Sequence, residues 1–221
     1  DKTSTTTGEI TVRWTRPINL DKTAFKGPYQ YRLYRATGLN GTSFTQVSPN
    51  IDTDLSVKAD TVFTDKNLNT TDNAYTYFLA FYYTSSTGLT VLDSTDASSS
   101  VRLSAKAGTK SVVLSWQANV AWKNENQVHR VYRETRSGSG VFNRIADVPV
   151  TSASTFTFMD TGEDTYTADG SAIAKMSQDS TYCYKVETVG TYNDAKIKPD
   201  LLYNFSQVIC ATPLSDIVPC P

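Results

Sequence analysis

The heptapeptides YRLYRAT (31–37) and HRVYRET (129–135) stand 98 residues apart, and the residues around them repeat as well. Trp14 and Trp116 precede them. SFTQV (43–47) and VFNRI (141–145) follow, then VFTD (62–65) and TFMD (157–160), then YTYFLAF (75–81) and YCYKVET (182–188). The order Trp, Tyr-Arg, Phe, Asp, Tyr-x-Tyr therefore runs twice. A period of about 100 residues is one domain length, so the chain reads as two similar domains. The seam falls in DSTDASSS (93–100), and we set the domains at 1–98 and 99–215.

Each copy is written in strand code. Ile10, Val12 and Trp14 alternate with polar residues, as do Val112, Leu114 and Trp116; Tyr75, Tyr77, Leu79 and Phe81; and Tyr182, Tyr184 and Val186. Alternation with period two places each set on one strand face, where a second sheet can bury it. Turn clusters separate the runs, among them Gly38–Ser43, Asn67–Asp72 and Ser137-Gly-Ser-Gly, and no window carries a helical period. The expected class is all-β, two tandem sandwiches.

Composition closes off several functions. The chain is 39% hydrophobic, which suffices for real cores, and its net charge of −1 supplies no cationic field for nucleic acid or an anionic membrane. The longest apolar run, Tyr77–Tyr83, is far too short to insert into a bilayer. The opening DKTSTTTGE lacks a signal-peptide core, so we expect a removed signal or a cut from a longer chain. Three cysteines, with no CxxC spacing, leave one thiol without a partner inside the chain.

Catalytic chemistry finds no foothold. His129 is the sole imidazole, and it takes the place of Tyr31 in the other copy, on one face with Val131. An amphipathic ring exchanged for another reads as packing at a core edge. There is no GxSxG, and Ser137-Gly-Ser-Gly lacks the Lys-Ser/Thr of a phosphate loop, so it reads as a flexible turn. The acids Asp160, Glu163, Asp164 and Asp169 form the best candidate calcium loop, but their spacing fits no EF-hand, and nothing sets one carboxyl apart as the acid of a glycosidase pair. We expect a solvated loop, no cofactor and no enzyme. Tyr34, Tyr82, Tyr83, Tyr132, Tyr192 and Tyr203 are outward candidates for stacking on a glycan, although tyrosine also occupies strands for β propensity alone.

Each copy resembles a fibronectin type III domain, a seven-stranded sandwich of about 100 residues. Trp14 and Trp116 match that family's core Trp on the second strand. Tyr75 and Tyr182 match the Tyr early in the sixth strand whose hydroxyl ties down the preceding loop. The second copy, with YCYKVETVGTY (182–192), LYNFSQVICATP (202–213) and IVPCP (217–221), also resembles modules of large surface proteins of Bacteroidota exported by type IX secretion. That resemblance implies a Cys183–Cys210 disulfide between the sixth and seventh strands. By strand parity the bridge clasps the outer surface, and closing its loop contributes about 3 kcal/mol. It also implies that 216–221 opens a following module, in which Cys220 finds its partner. The segment 163–179 is longer than the pattern asks. Asp60-Thr-Val, Asp93-Ser-Thr and Asp179-Ser-Thr match the short Asp-Ser/Thr-x motif for O-glycosylation in these bacteria, pointing to Thr61, Ser94 and Ser180. The implied role is a non-catalytic extracellular pair of modules, a spacer or adhesive segment tied to gliding or attachment. The alternative is a glycan- or protein-binding accessory module of a secreted enzyme. Expected partners are the adjacent modules, with glycans or surface proteins beyond them.

Overall fold

The computed structural model describes residues 2–4, 7–56, 58–122, 127–162, 176–197 and 201–215. These form two compact units. The first runs to Ser100 and includes 119–122, 191–197 and 201–202; the second takes 101–118, 127–162, 176–190 and 203–215.

In the first unit the strands are β1 (Lys2–Ser4), β2 (Glu9–Arg13), β3 (Tyr29–Thr37), β4 (Thr45–Gln46), β5 (Ile51–Thr53), β6 (Val62–Asp65), β7 (Tyr75–Ser85), β8 (Gly88–Ser94) and β9 (Ser98–Ser99). One sheet has the order β1-β2-β6. The other has the order β4-β3-β7-β8, with β5 on β3 and β9 on β7. The second unit carries β10 (Arg102–Gly108), β11 (Ser111–Gln117), β12 (Val128–Glu134), β13 (Phe142–Pro149), β14 (Phe156–Asp160), β15 (Tyr182–Gly190), β16 (Leu202–Phe205) and β17 (Ile209–Ala211). Its sheets are β10-β11-β14 and β13-β12-β15-β16, with β17 also on β15. Both units are fibronectin type III-like β-sandwiches, a three-stranded sheet packed on a larger antiparallel one.

The inward row of each strand is the row the alternation predicts. Ile10, Val12, Tyr31, Leu33, Tyr77, Leu79 and Phe81 are buried in the first core. Leu103, Val112, Leu114, Trp116, Val131, Tyr184 and Val186 are buried in the second. Trp14 departs slightly: it lies one residue past β2, half-buried, with its ring edge-on to Tyr31 at 5.6 Å. The hydroxyl of Tyr75 accepts the Asn69 N–H at 3.0 Å, and that of Tyr182 accepts the Ser177 N–H at 2.9 Å. Each tyrosine thereby pins the loop that leads into its own strand.

The same polar contact joins the sheets in both units. Arg35 and Tyr77 are opposite each other on β3 and β7, and Arg133 and Tyr184 on β12 and β15. Both pairs point inward and meet the Asp that ends the strand across the core. Arg35 donates to Asp65 at 2.7 Å and Tyr77 at 3.0 Å. Arg133 donates to both Asp160 oxygens at 2.8 Å, Tyr184 donates at 2.8 Å, and the Gly162 N–H at 2.9 Å. The Asp160 and Arg133 side chains are 0% and 3% exposed, against 7% and 26% for Asp65 and Arg35. Burying a charge without partners is costly, so removing one member leaves a desolvated ion in an apolar interior.

Asp160→Ala is therefore expected to destabilise the second unit by about 3–5 kcal/mol, and Asp65→Ala the first by less, because Arg35 can still reach water. Urea unfolding followed by hydrogen exchange of β10–β17 and of β1–β9 separately reads both. Equal losses in the two units would contradict the role given to burial.

Candidate functional site

His129 lies in the second core at 1% exposure. Its ring sits 4.2 Å from that of Phe156 and 5.6 Å, edge-on, from that of Trp116, and neither ring nitrogen has a hydrogen-bond partner. Tyr31 holds the same place beside Trp14 in the first unit, and its hydroxyl is likewise buried without a partner. Burial lowers the His129 pKa from 6.5 to about 4. The imidazole is thus neutral at pH 7.

The candidate calcium loop divides. Glu163, Asp164 and Asp169 lie outside the described residues. Asp160 does not face solvent as a loop ligand would: its two oxygens are taken up by Arg133, Tyr184 and Gly162. Among the described residues no group of three or more His, Cys, Asp or Glu side chains is arranged to hold a metal. Ser137-Gly-Ser-Gly, expected to be a flexible turn, is anchored. Glu134, only 8% exposed, accepts the N–H groups of Gly138 at 3.0 Å and Gly140 at 2.6 Å. The strand-final Glu is visible in the sequence, but its folding back over the turn is not.

Cys183 and Cys210 are opposite in the β15–β17 register and form a disulfide, with Cα atoms 4.0 Å apart. Cys210 is exposed and Cys183 is buried, 7% exposed, so only the β17 side of the bridge reaches the surface. Cys220 lies outside the described residues. Ser94 and Ser180 are exposed, whereas Thr61 is half-buried in a short 3₁₀ turn, Lys58–Thr61.

The outer faces of the two larger sheets gather the remaining polar and aromatic side chains. On the first, Tyr34 stacks on Phe78 with centroids 4.8 Å apart, and Phe44 meets Phe78 edge-on at 4.8 Å. The Arg32 guanidinium lies 4.3 Å over the ring of Tyr82, whose hydroxyl is 3.1 Å from that of Tyr34. On the second, Arg130 and Tyr132 donate to one oxygen of Glu187 at 3.1 and 2.8 Å. Burial and that carboxylate push the Tyr132 pKa up to about 12. The Lys185 ammonium lies 4.8–5.4 Å from the rings of Phe142, Tyr132 and Phe205. Of the outward tyrosines expected from the sequence, Tyr34, Tyr82 and Tyr132 lie on these faces, and Tyr192 and Tyr203 are exposed. Tyr83 turns to the core side and packs edge-on against Phe25 at 5.2 Å. The sequence reading passed over one further feature, an open depression of about 530 Å³ in the first unit between the cis Gly27–Pro28 bond, Tyr29 and the acids Asp52, Asp54 and Asp60.

No family model matches the chain, and no curated protein matches it. Among solved structures it is similar to the chicken CNTN1 FN1–FN3 domains, at 11% identity and a TM-score of 0.28, over 94% of this chain and 63% of that one. The chain therefore spans less than two thirds of that fragment. It is also similar to the chicken interferon gamma receptor alpha chain, at 11% identity and 0.32, over 96% and 95%. A DUF3823 family protein from Bacteroides uniformis aligns at 9% identity and 0.31, over 84% and 89%.

The burial of His129 has a pH consequence. The unfolded chain takes up a proton near pH 6.5 and the folded unit only near pH 4. Its contribution is thus fully kept above pH 6.5 and lost as the pH falls towards 4, by up to roughly 3 kcal/mol. In chemical denaturation across this window, the second unit of the His129→Phe variant is expected to lose less stability than wild type. Parallel pH profiles would contradict the account.

Proposed function

We infer that the chain is a non-catalytic pair of modules that acts as a spacer and adhesive segment of a larger secreted or surface-attached protein. The observation that carries this reading is the repeated clamp, Arg35–Asp65–Tyr77 and Arg133–Asp160–Tyr184, which ties the two sheets of each unit through the core. Two sandwiches braced in this way suit a part that holds other modules apart under load. The Cys183–Cys210 bridge adds a covalent tie between strands and fits an oxidising, extracellular setting.

The finer reading places the parent among Bacteroidota surface proteins exported by type IX secretion and used in gliding or attachment, with Cys220 bonded to a following module. It rests on the sequence motifs. Ser94 and Ser180, both exposed, are its O-glycosylation sites, with Thr61 as a third. Mass spectrometry of non-reduced peptides from the native protein tests these assignments. The expected result is hexose-bearing Asp-Ser/Thr peptides and Cys220 linked to a cysteine beyond residue 221; unmodified serines and a free Cys220 would remove this finer reading. A second function, recognition of a protein or glycan, is favoured by the Arg32–Tyr34–Phe78–Tyr82 face.

The spacer role is tested by pulling the chain end to end in a single-molecule force experiment. Two unfolding peaks are expected. The disulfide spans a sequence separation of 27, so reduction should lengthen the second unit's step by roughly 90 Å. Asp160→Asn should lower its peak force. Unravelling of both units without a force peak would remove the spacer reading.

A further inference from the structure

The two outer sheet faces are built on one plan and differ at one decisive position. In a strand, arginines three residues apart point to opposite sides. Arg35 and Arg133 go inward to the clamp, and Arg32 and Arg130 go outward. Arg130 stands opposite Glu187 on β15, and Arg32 stands opposite Ala80 on β7. In the second unit, then, the outward arginine and its neighbouring tyrosine converge on a carboxylate supplied by the facing strand, 6% exposed. In the first unit the arginine and the tyrosine are kept, and the acid is replaced by a methyl group.

Arg32 is nonetheless held in place. Its guanidinium lies over Tyr82, and its Nε donates to the Gln30 side chain at 2.7 Å. Gln30 in turn donates to Asp52 at 2.9 Å, so the nearest acid in this chain of contacts reaches Arg32 only through an amide. No ion pair to Arg32 occurs among the described residues. The hydroxyls of Tyr34 and Tyr82 meet beside it. Val91, directly opposite Tyr82 on β8, is 51% exposed, and Leu89, one step along the same row, is 41% exposed.

We propose that the Arg32–Tyr34–Tyr82 face of the first unit binds an acidic side chain of a partner protein, the carboxylate that the second unit supplies to itself as Glu187. Protein is favoured over an acidic sugar because one face of each ring is already taken, Tyr34 by Phe78 and Tyr82 by Arg32, while Val91 and Leu89 offer apolar contact beside the charge. The inference rests on the recognition reading of this face and names its partner; the clamp and the force response do not involve Arg32, so the spacer role is tested separately.

The probe is the peptide acetyl-Val-Glu-Val-Glu-Val-amide, titrated against the whole chain while the Arg32 Nε–H resonance is followed by NMR. Its Gln-for-Glu analogue and a galacturonate oligomer are titrated in parallel. The acidic peptide is expected to shift Arg32 Nε–H and to bind at least roughly tenfold tighter than the Gln analogue. Arg32→Gln and Tyr34→Phe should each reduce that preference, and Ala80→Glu combined with Tyr82→Val, which copies the second unit's arrangement, should remove it while the chain stays folded. Equal binding of the Glu and Gln peptides, or a preference that survives Arg32→Gln, overturns the proposal. Saturable, Arg32-dependent binding of the galacturonate oligomer with none of the peptide overturns it in favour of an acidic glycan.

Discussion

An aspartate closed inside a β-sandwich has to be met by cation and donor before the two sheets can pack, and here it is met in the same way twice. Asp65 and Asp160 end a strand of the smaller sheet, and the larger sheet presents an arginine and a tyrosine from adjacent strands at the matching depth. Hydrophobic burial alone lets one sheet slide over the other at little cost, since apolar contact is non-directional. A carboxylate that must find Arg and Tyr together allows one alignment. It fixes which residues of β3 and β12 face inward, and therefore also which face outward.

The outward rows follow from that choice. Because Arg35 and Arg133 are committed to the core, Arg32 and Arg130 stand on the opposite face, each near a tyrosine ring. On this shared skeleton the copies have diverged. The second unit closes its outer face with Glu187, packs Lys185 among three rings and staples β15 to β17 with a disulfide. The first gives its arginine no carboxylate among the described residues and exposes Val91 and Leu89 beside it. The self-satisfied face is the one suited to bracing, and the open face is the one suited to contact.

The exchange of Tyr31 for His129 shows how far the core tolerates substitution. Both rings lie against the Trp that recurs in the two copies, and both bury polar atoms without a partner, one hydroxyl in Tyr31 and two nitrogens in His129. Shape is retained, while the histidine makes the second core sensitive to acid in a way that the tyrosine does not. Backbone limits act alongside the core. At Gly8, with φ +60°, a Cβ would stand 2.4 Å from the Leu68 carbonyl oxygen, so the turn between β1 and β2 can close on that loop only with glycine.

Much of this was legible in the residues. Period-two alternation and a 98-residue offset sufficed for two β-sandwiches and for their inward rows, because strand geometry sends successive side chains to opposite faces whatever the neighbours are. The tyrosines that pin the loops before β7 and β15 were also recognisable from their places in the repeat. Other properties depend on which strands become neighbours across the core or within a sheet, and no local pattern encodes that. Asp160 looked like a loop acid and is a buried clamp; Ser137-Gly-Ser-Gly looked loose and is held by Glu134; Tyr83 looked outward and turns in. The pairing of Arg130 with Glu187, and of Arg32 with Ala80, joins positions about fifty residues apart. Only the register of the folded sheets brings them together, and so only the tertiary structure decided which arginine is satisfied and which remains open to a partner.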